Sequence, residues 1–288
     1  MNPASPSPWP ACVLLTGAGG KVARAVRPYL AARCQTLRLT DIAVNDDDPA
    51  ADEMHLADLA DPARVRELLQ GVDAVVHFAG YPREADWPAL LHANVQAVAC
   101  LWGAAVDAGV QRIVYASSNH AVGYYPRSQR IDADAPARPD SRYGVTKVFM
   151  EALASLHADK HGLRALGIRI GSCGPRPVDA RALAHWVHPE DLAQLIGIGL
   201  TAHLHHQVVY GVSANRRSWY DNRAAEQLGY QPVHSADGFE PALLHAVSPD
   251  PVAEHFQGGS FAAAGHRSPV PNRITPGCPQ NAARGPAA

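Results

Sequence analysis

Short apolar runs alternate along this chain with longer stretches whose apolar positions recur at helical spacing. CVLLT (12–16), TLRLTD (36–41), AVVHFA (74–79), RIVYASS (112–118), ALGIRI (165–170) and QVVYGVS (207–213) read as strands. Helices are expected near 20–33, 62–70, 86–108, 141–161, 189–200 and 221–228. The fifth has clear start chemistry, with Pro189 at the first helical position and Glu190 and Asp191 near the positive end of the dipole. Strands separated by helices of this length pair in parallel through right-handed crossovers, so the expected fold is a doubly wound, Rossmann-like α/β sheet. No internal repeat is present. Alternation breaks only after about residue 171, and the remaining stretch is too short for a second core. A single domain over 11–263 is therefore expected, with 171–263 forming a small covering extension. Residues 1–10 hold four prolines and read as a flexible leader, and the aperiodic stretch 264–288 reads as a disordered tail.

Composition narrows the function classes. Over 288 residues, 47% are apolar and 18% charged, which fits a globular protein. The net charge of −2 and the lack of a basic stripe argue against a nucleic-acid surface. Five scattered cysteines (Cys12, Cys34, Cys100, Cys173, Cys278) suggest neither a disulfide framework nor a zinc knuckle, and are expected to be reduced thiols in a cytoplasmic protein. The N-terminus lacks the features of a secretory signal, and no apolar run of about 18 residues stands out, so no membrane partner is expected.

The first strand runs into LLTGAGGKVA (14–23), where Gly17 and Gly20 stand three apart and Ala23 comes next. Small residues between a strand and a helix let the backbone approach a pyrophosphate, which the N–H groups of the helix start can bind. Asp41 ends the second strand, 24 residues after Gly17, where a carboxylate accepts both ribose hydroxyls of NAD and repels the 2′-phosphate of NADP. Its blander reading is a turn former. Asp58 either meets the adenine or caps the helix beginning near 62, and Asp46–Asp47–Asp48 reads as a solvated loop.

RYGVTK (142–147) places Tyr143 and Lys147 on one helix face, four residues apart. A phenol with a pKa of about 10 is a poor base at neutrality. A neighbouring ammonium and a cationic nicotinamide would favour the phenolate, a change worth about 4 kcal/mol, and Tyr143 could then accept a proton from a substrate hydroxyl. Lys147 would also bond the nicotinamide ribose. Ser118 ends a strand 25 residues before Tyr143, where its hydroxyl can steady the reacting oxygen. Each feature alone is weak; the set in this order is specific.

These residues resemble the short-chain dehydrogenase/reductase superfamily. Within it, SSNHAVGYYP (117–126), PARPDSRYGVTK (136–147), RIGSC (169–173) and FQGGSF (256–261) resemble the uronate dehydrogenase family over about 12–262. The resemblance implies NAD-dependent oxidation of the C1 hydroxyl of cyclic D-galacturonate or D-glucuronate to an aldarolactone, in a homo-oligomer that needs no metal. It implies catalytic roles for Ser118, Tyr143 and Lys147. Asn119, His120 and Ser172 would bind sugar hydroxyls or the carboxylate, and Arg181 would clamp the carboxylate, whose geometry suits a guanidinium. Cofactor contacts would come from Gly17, Gly20, Lys21, Val22, Asp41, Ile42, Asp58, Leu59, Phe78, Ala79, Gly80, Asn94 and Lys147. The alternatives are a nucleotide-sugar epimerase, disfavoured by the short segment after 171, and another extended short-chain dehydrogenase acting on a different sugar.

The chain departs from the family at three places. Ala23 replaces the usual third glycine, Lys21 stands where glutamine is frequent, and Pro82 takes the place of a serine that approaches substrate. His203, His205 and His206 read as a solvated helix end rather than a metal site.

Overall fold

The structure is a computed structural model and describes residues 9–44 and 47–269. Seven parallel strands form one sheet in the order β3-β2-β1-β4-β5-β6-β9. They are β1 (Cys12–Thr16), β2 (Thr36–Asp41), β3 (Met54–Leu56), β4 (Ala74–His77), β5 (Arg112–Ser118), β6 (Arg164–Ile170) and β9 (His206–Gly211). The order reverses between β1 and β4. Crossovers leave in opposite directions there, opening a crevice at the carboxyl ends of the strands.

Side chains alternate across the pleat and so split the core in two. Val13, Leu15 and Val76 point to the face covered by α1 (Lys21–Ala31) and α7 (Pro189–Thr201), where they meet Val26, Leu30, Leu192 and Ile196. Leu14, Val75, Ile113 and Tyr115 point to the other face. There α2 (Pro62–Leu68), α4 (Ala97–Asp107) and α5 (Arg142–His161) supply Val65, Leu101, Trp102, Met150 and Ala154.

The helix expected near 86–108 is interrupted. It runs as α3 (Trp87–Leu91), a π turn over His92–Gln96, and α4. Trp87–Asp107 as a whole is long and apolar enough to cross a membrane by length and composition, a feature the sequence pattern did not single out. Val98, Leu101, Trp102 and Ala105 of this run are buried against the sheet, the role of a core helix. Strand β3 also escaped the sequence pattern, because MHL is three residues long and two of them are exposed.

After β6 comes a second sheet of two short strands, β7 (Ser172–Cys173) and β8 (Trp186–Val187), around α6 (Ala182–His185). The chain then forms the short helices α8 (Arg223–Gln227), α9 (Glu240–Leu243), α10 (Pro251–His255) and α11 (Ser260–Ala263).

Three local expectations change. Of the leader, residues 1–8 lie outside the described residues, but Trp9 packs on the α1/α7 core and its ring lies 3.0 Å from where a Cβ on Gly197 would stand. Of the tail, 264–269 are described, and His266 approaches the Tyr124 hydroxyl at 3.5 Å. The aspartate run is not simply a solvated loop. Asp46 lies outside the described residues, whereas Asp48 is buried and takes two bonds from Arg27, at 3.0 and 2.6 Å. A carboxylate inside a protein needs such a partner, and Arg27 projects from α1 toward it.

Candidate active site

A cleft of about 720 Å³ opens at the β1/β4 reversal, within the size range of sites for cofactors and drug-sized ligands. One wall is built from strand ends. Gly17 leaves β1 with φ +65, and a Cβ there would stand 2.5 Å from the backbone nitrogen of Ala79. Only glycine lets these two strand ends approach so closely. Helix α1 starts at Gly20 with no side chain capping it, so its first-turn N–H groups face the cleft without a side-chain partner. Asp41 accepts from Gly19 N at 2.9 Å through Oδ2 and from Ile42 N at 2.7 Å through Oδ1, which fixes its carboxylate at the rim. Asp58 also lines this wall, accepting from Ala60 N and pairing with His92 Nε2 at 2.8 Å. Asp61, not Asp58, caps α2, accepting from Ala63 N and Arg64 N. Lys21, Val22, Ile42, Leu59, Phe78, Ala79 and Gly80 complete the lining from the expected cofactor set.

Asn94 is the exception. Buried at the π turn, it accepts from Tyr81 N at 2.7 Å and donates to Tyr81 O and Thr146 Oγ1, both at 3.1 Å. It lies behind the wall and holds the Gly80–Tyr81 turn against α5.

The other wall is built from side chains. Helix α5 begins at an N-cap, Ser141, whose Oγ accepts from Gly144 N at 3.0 Å. Glu84 reaches across from the loop after β4 to accept from Tyr143 N at 3.0 Å and Arg142 Nε at 2.6 Å. Two loops thus set the start of the helix that carries Tyr143 and Lys147 into the cleft. Lys147 is buried, and its Nζ donates to Ala116 O at 2.8 Å and lies 5.5 Å from the centre of the Tyr143 ring. Burial pulls the Lys147 pKa down to about 8, against the opposing field of Glu151. That carboxylate is held by Arg169 at 2.9 Å through each oxygen and by Ser117 Oγ at 2.5 Å.

In the protein alone, Lys147 by itself does not make Tyr143 acidic. Burial pushes its pKa up to about 12, opposed by the hydrogen bond with Ser118, while the Asp140 carboxylate raises it further. Desolvation disfavours the phenolate more than one buried ammonium favours it. The protein alone therefore stores the group as a phenol.

Ser118, Asn119 and His120 all line the cleft beside Tyr143. With its amide turned to satisfy both ends, Asn119 donates to Ile170 O at 3.1 Å and accepts from Arg181 Nη2 at 2.9 Å. Arg181 is partly buried rather than solvated, and burial lowers its pKa. Its Nε donates to Gln257 O at 2.8 Å, and among the described residues it forms no ion pair. Arg181 and Ser172 adjoin the cleft through Asn119 and Gly171, respectively, which line it. Pro82 lines the cleft as well.

GYYP and FQGGSF are separate signatures in the sequence; the structure pairs them. Pro126 and Phe256 form an antiparallel bridge, Gln257 N donates to Tyr125 O at 2.9 Å and Gly258 N to Gly123 O at 2.8 Å. This pairing brings Phe261 onto His120, ring centres 4.0 Å apart and 22° from parallel. Phe261, Asp140 and Glu84 were missed as site residues. The first two lie inside the signature motifs, but nothing in their spacing reveals the contact. Of the histidines read as a solvated end, His205 pairs with Asp159 and His206 Nε2 meets the Tyr115 hydroxyl at 3.1 Å.

A glycine turn at the sheet reversal, an acid at the end of β2, and a Tyr–Lys helix facing a strand-end serine give this cleft the layout of a Rossmann-type dehydrogenase. The sequence model of the NAD dependent epimerase/dehydratase family matches residues 13–219. The chain is 43% identical over 261 residues to uronate dehydrogenase of Pseudomonas putida, covering 88% of this chain and 96% of that protein. Among solved structures, glucuronic acid dehydrogenase of Chromohalobacter salexigens superposes with a TM-score of 0.84 at 42% identity, covering 89% of this chain and 98% of that one. A variant of Agrobacterium tumefaciens uronate dehydrogenase in complex with NAD gives 0.82 at 38% identity, covering 88% and 97%. The chain belongs to the NAD dependent epimerase/dehydratase family, in its uronate dehydrogenase branch.

Proposed function

We propose that this protein oxidises the C1 hydroxyl of a cyclic hexuronic acid, D-galacturonate or D-glucuronate, to the aldarolactone, with NAD as the oxidant. The observation that carries the reading is the meeting of Tyr143, Lys147 and Ser118 in one cleft, next to Arg181, a partly buried guanidinium with no ion-pair partner among the described residues. A carboxylate-bearing sugar supplies the missing anion.

The residues of the first wall fit the cofactor. Gly17 leaves no room for a Cβ, α1 offers uncapped N–H groups to a pyrophosphate, and the fixed Asp41 carboxylate suits unphosphorylated ribose hydroxyls. Bound NAD supplies the hydride acceptor and a positive charge on its nicotinamide ring. Tyr143 takes the proton of the C1 hydroxyl. Its high pKa in the protein alone means that the base forms only once further positive charge joins Lys147. Ser118 holds the reacting oxygen through its hydroxyl, and Asn119 relays the position of Arg181 to the sugar wall.

Purified protein given NAD and either uronate should develop the near-ultraviolet absorbance of reduced nicotinamide. Turnover of another sugar with silence on every uronic acid would overturn the substrate assignment.

We also infer a soluble, cytoplasmic homo-oligomer. Cys12, Cys34, Cys100 and Cys173 are free thiols, which suits a reducing compartment. Trp87, Leu91, Val145 and Leu156 are 42–51% exposed on the neighbouring α3 and α5 helices, apolar surface that a second copy would cover. Sedimentation of the purified chain as a monomer would remove the oligomer from this reading.

A further inference from the structure

Three segments distant in sequence converge on one carboxylate. Asp140 precedes α5, and its side chain is fully buried. Oδ2 meets His120 Nδ1 at 2.7 Å, and Oδ1 accepts from Ser141 Oγ at 2.7 Å. A Cβ on Gly123 or on Gly258 would stand 1.8 Å from Oδ2, so the carboxylate occupies a niche that two glycines leave open. The backbones are tied as well: Asp140 N donates to His120 O at 3.3 Å, and Gly258 N to Gly123 O at 2.8 Å.

A carboxylate in this niche works against the base beside it, since its negative charge disfavours the Tyr143 phenolate. An asparagine of the same shape would spare Tyr143 that field. The charge therefore needs another reason to be there, and the short contact to His120 supplies it. A carboxylate can only accept, so Nδ1 must carry the hydrogen. In the neutral ring Nε2 is then a lone pair, and it is the nitrogen left for the cleft that His120 lines. Phe261, stacked on the imidazole at 4.0 Å, blocks rotation of the ring.

We propose that Asp140 is a positioning residue for the sugar site: it holds His120 in one orientation and one tautomer, so that Nε2 accepts a hydrogen bond from a uronate hydroxyl. The assignment of the hydroxyl rests on the uronate reading above; the tautomer does not.

The test is Asp140→Asn, which fits the same niche without the charge. An amide can donate to Nδ1, which moves the hydrogen to Nε2 and turns an acceptor toward the sugar into a donor. KM for the uronate should rise about 10- to 100-fold, with a smaller change in kcat and with KM for NAD within about twofold. In a His120→Ala background the same substitution should add almost nothing, because coupled residues are not additive. Nitrogen NMR of the imidazoles, with His120 assigned by its absence in His120→Ala, should report Nδ1–H in the unsubstituted protein and Nε2–H in Asp140→Asn. Wild-type KM in the variant, or an equal further loss in the His120→Ala background, overturns the proposal. So does an Nε2–H tautomer in the unsubstituted protein, a readout that stands even if Asp140→Asn fails to fold. If the unsubstituted protein oxidises no uronate while its tautomer is as stated, the substrate reading fails and the positioning of His120 survives.

Discussion

The two walls of the cleft are made by different means. The wall assigned to the cofactor is mostly backbone: Gly17 and Gly20 at the first turn, Asp41 and Ile42 at the end of β2, Phe78–Gly80 after β4. Each piece is a short continuous segment at a strand end, placed by the sheet register itself. The wall assigned to the sugar is mostly side chain. It needs residue 84 to set the start of α5, residue 140 to hold residue 120, and residues 257–261 to close over both. A backbone wall depends on few identities and tolerates change elsewhere. A side-chain wall stores its geometry in contacts across the whole chain, so single changes there should alter chemistry and sugar affinity while leaving the other wall intact.

The largest expected effect tests that independence directly. Tyr143→Phe removes the proton acceptor and keeps the ring that packs on His120 and Phe261. We expect kcat to fall about 100- to 10,000-fold, with NADH affinity, read from nucleotide fluorescence, changed by less than about twofold. Loss of nucleotide binding in this variant would show that the walls are one structure.

Two smaller changes should give mirror-image signatures. Gly17→Ala forces a Cβ against the Ala79 backbone at φ +65, a strain of about 1–3 kcal/mol. It should raise KM for NAD at least about tenfold and lower the melting temperature, while KM for the uronate moves little. Arg181→Lys keeps the charge but loses the fork that bonds Gln257 O and Asn119 together. KM for the uronate should rise about 10- to 100-fold, with KM for NAD unchanged. The comparison breaks if both substitutions raise both constants.

The same division explains what could be read from the chain alone. Strands β1, β2 and β5 fall where the apolar runs place them, and the glycine turn and Asp41 follow from local spacing, because backbone geometry is encoded locally. Tyr143, Lys147 and Ser118 were legible for a similar reason: two share a helix face and the third ends a strand. What was not legible depends on tertiary approach. The Arg27–Asp48 pair turned an apparent solvated run into a buried contact. The Asp140 niche depends on Gly123 and Gly258, far apart in the chain, meeting at one point. How much of the acidity of Tyr143 the cofactor must supply was not legible either, because burial, invisible in spacing, outweighs the nearby ammonium in the protein alone.

The smallest effect probes the cost of the side-chain wall. Burial holds the Lys147 pKa at about 8, below the value of about 10.4 expected in the unfolded chain. Between about pH 8 and 10 the unfolded chain therefore binds more protons than the folded one, and stability rises with pH. The sign reverses for Tyr143, whose phenol ionises near 10 when unfolded but about 12 when folded, so its contribution is lost above about pH 10. Lys147→Met keeps most of the side-chain volume and removes the titration. The unfolding free energy of the variant minus that of the unsubstituted protein should thus be most positive at neutral pH. It should shrink as pH rises from about 8 to 10, by at most about 1.4 kcal/mol per pH unit. Denaturant melts at several pH values measure this slope. A difference that stays flat would mean that Lys147 is hydrated in solution, and then the sugar wall would not need Glu151 and Arg169 behind it to keep an ammonium in place.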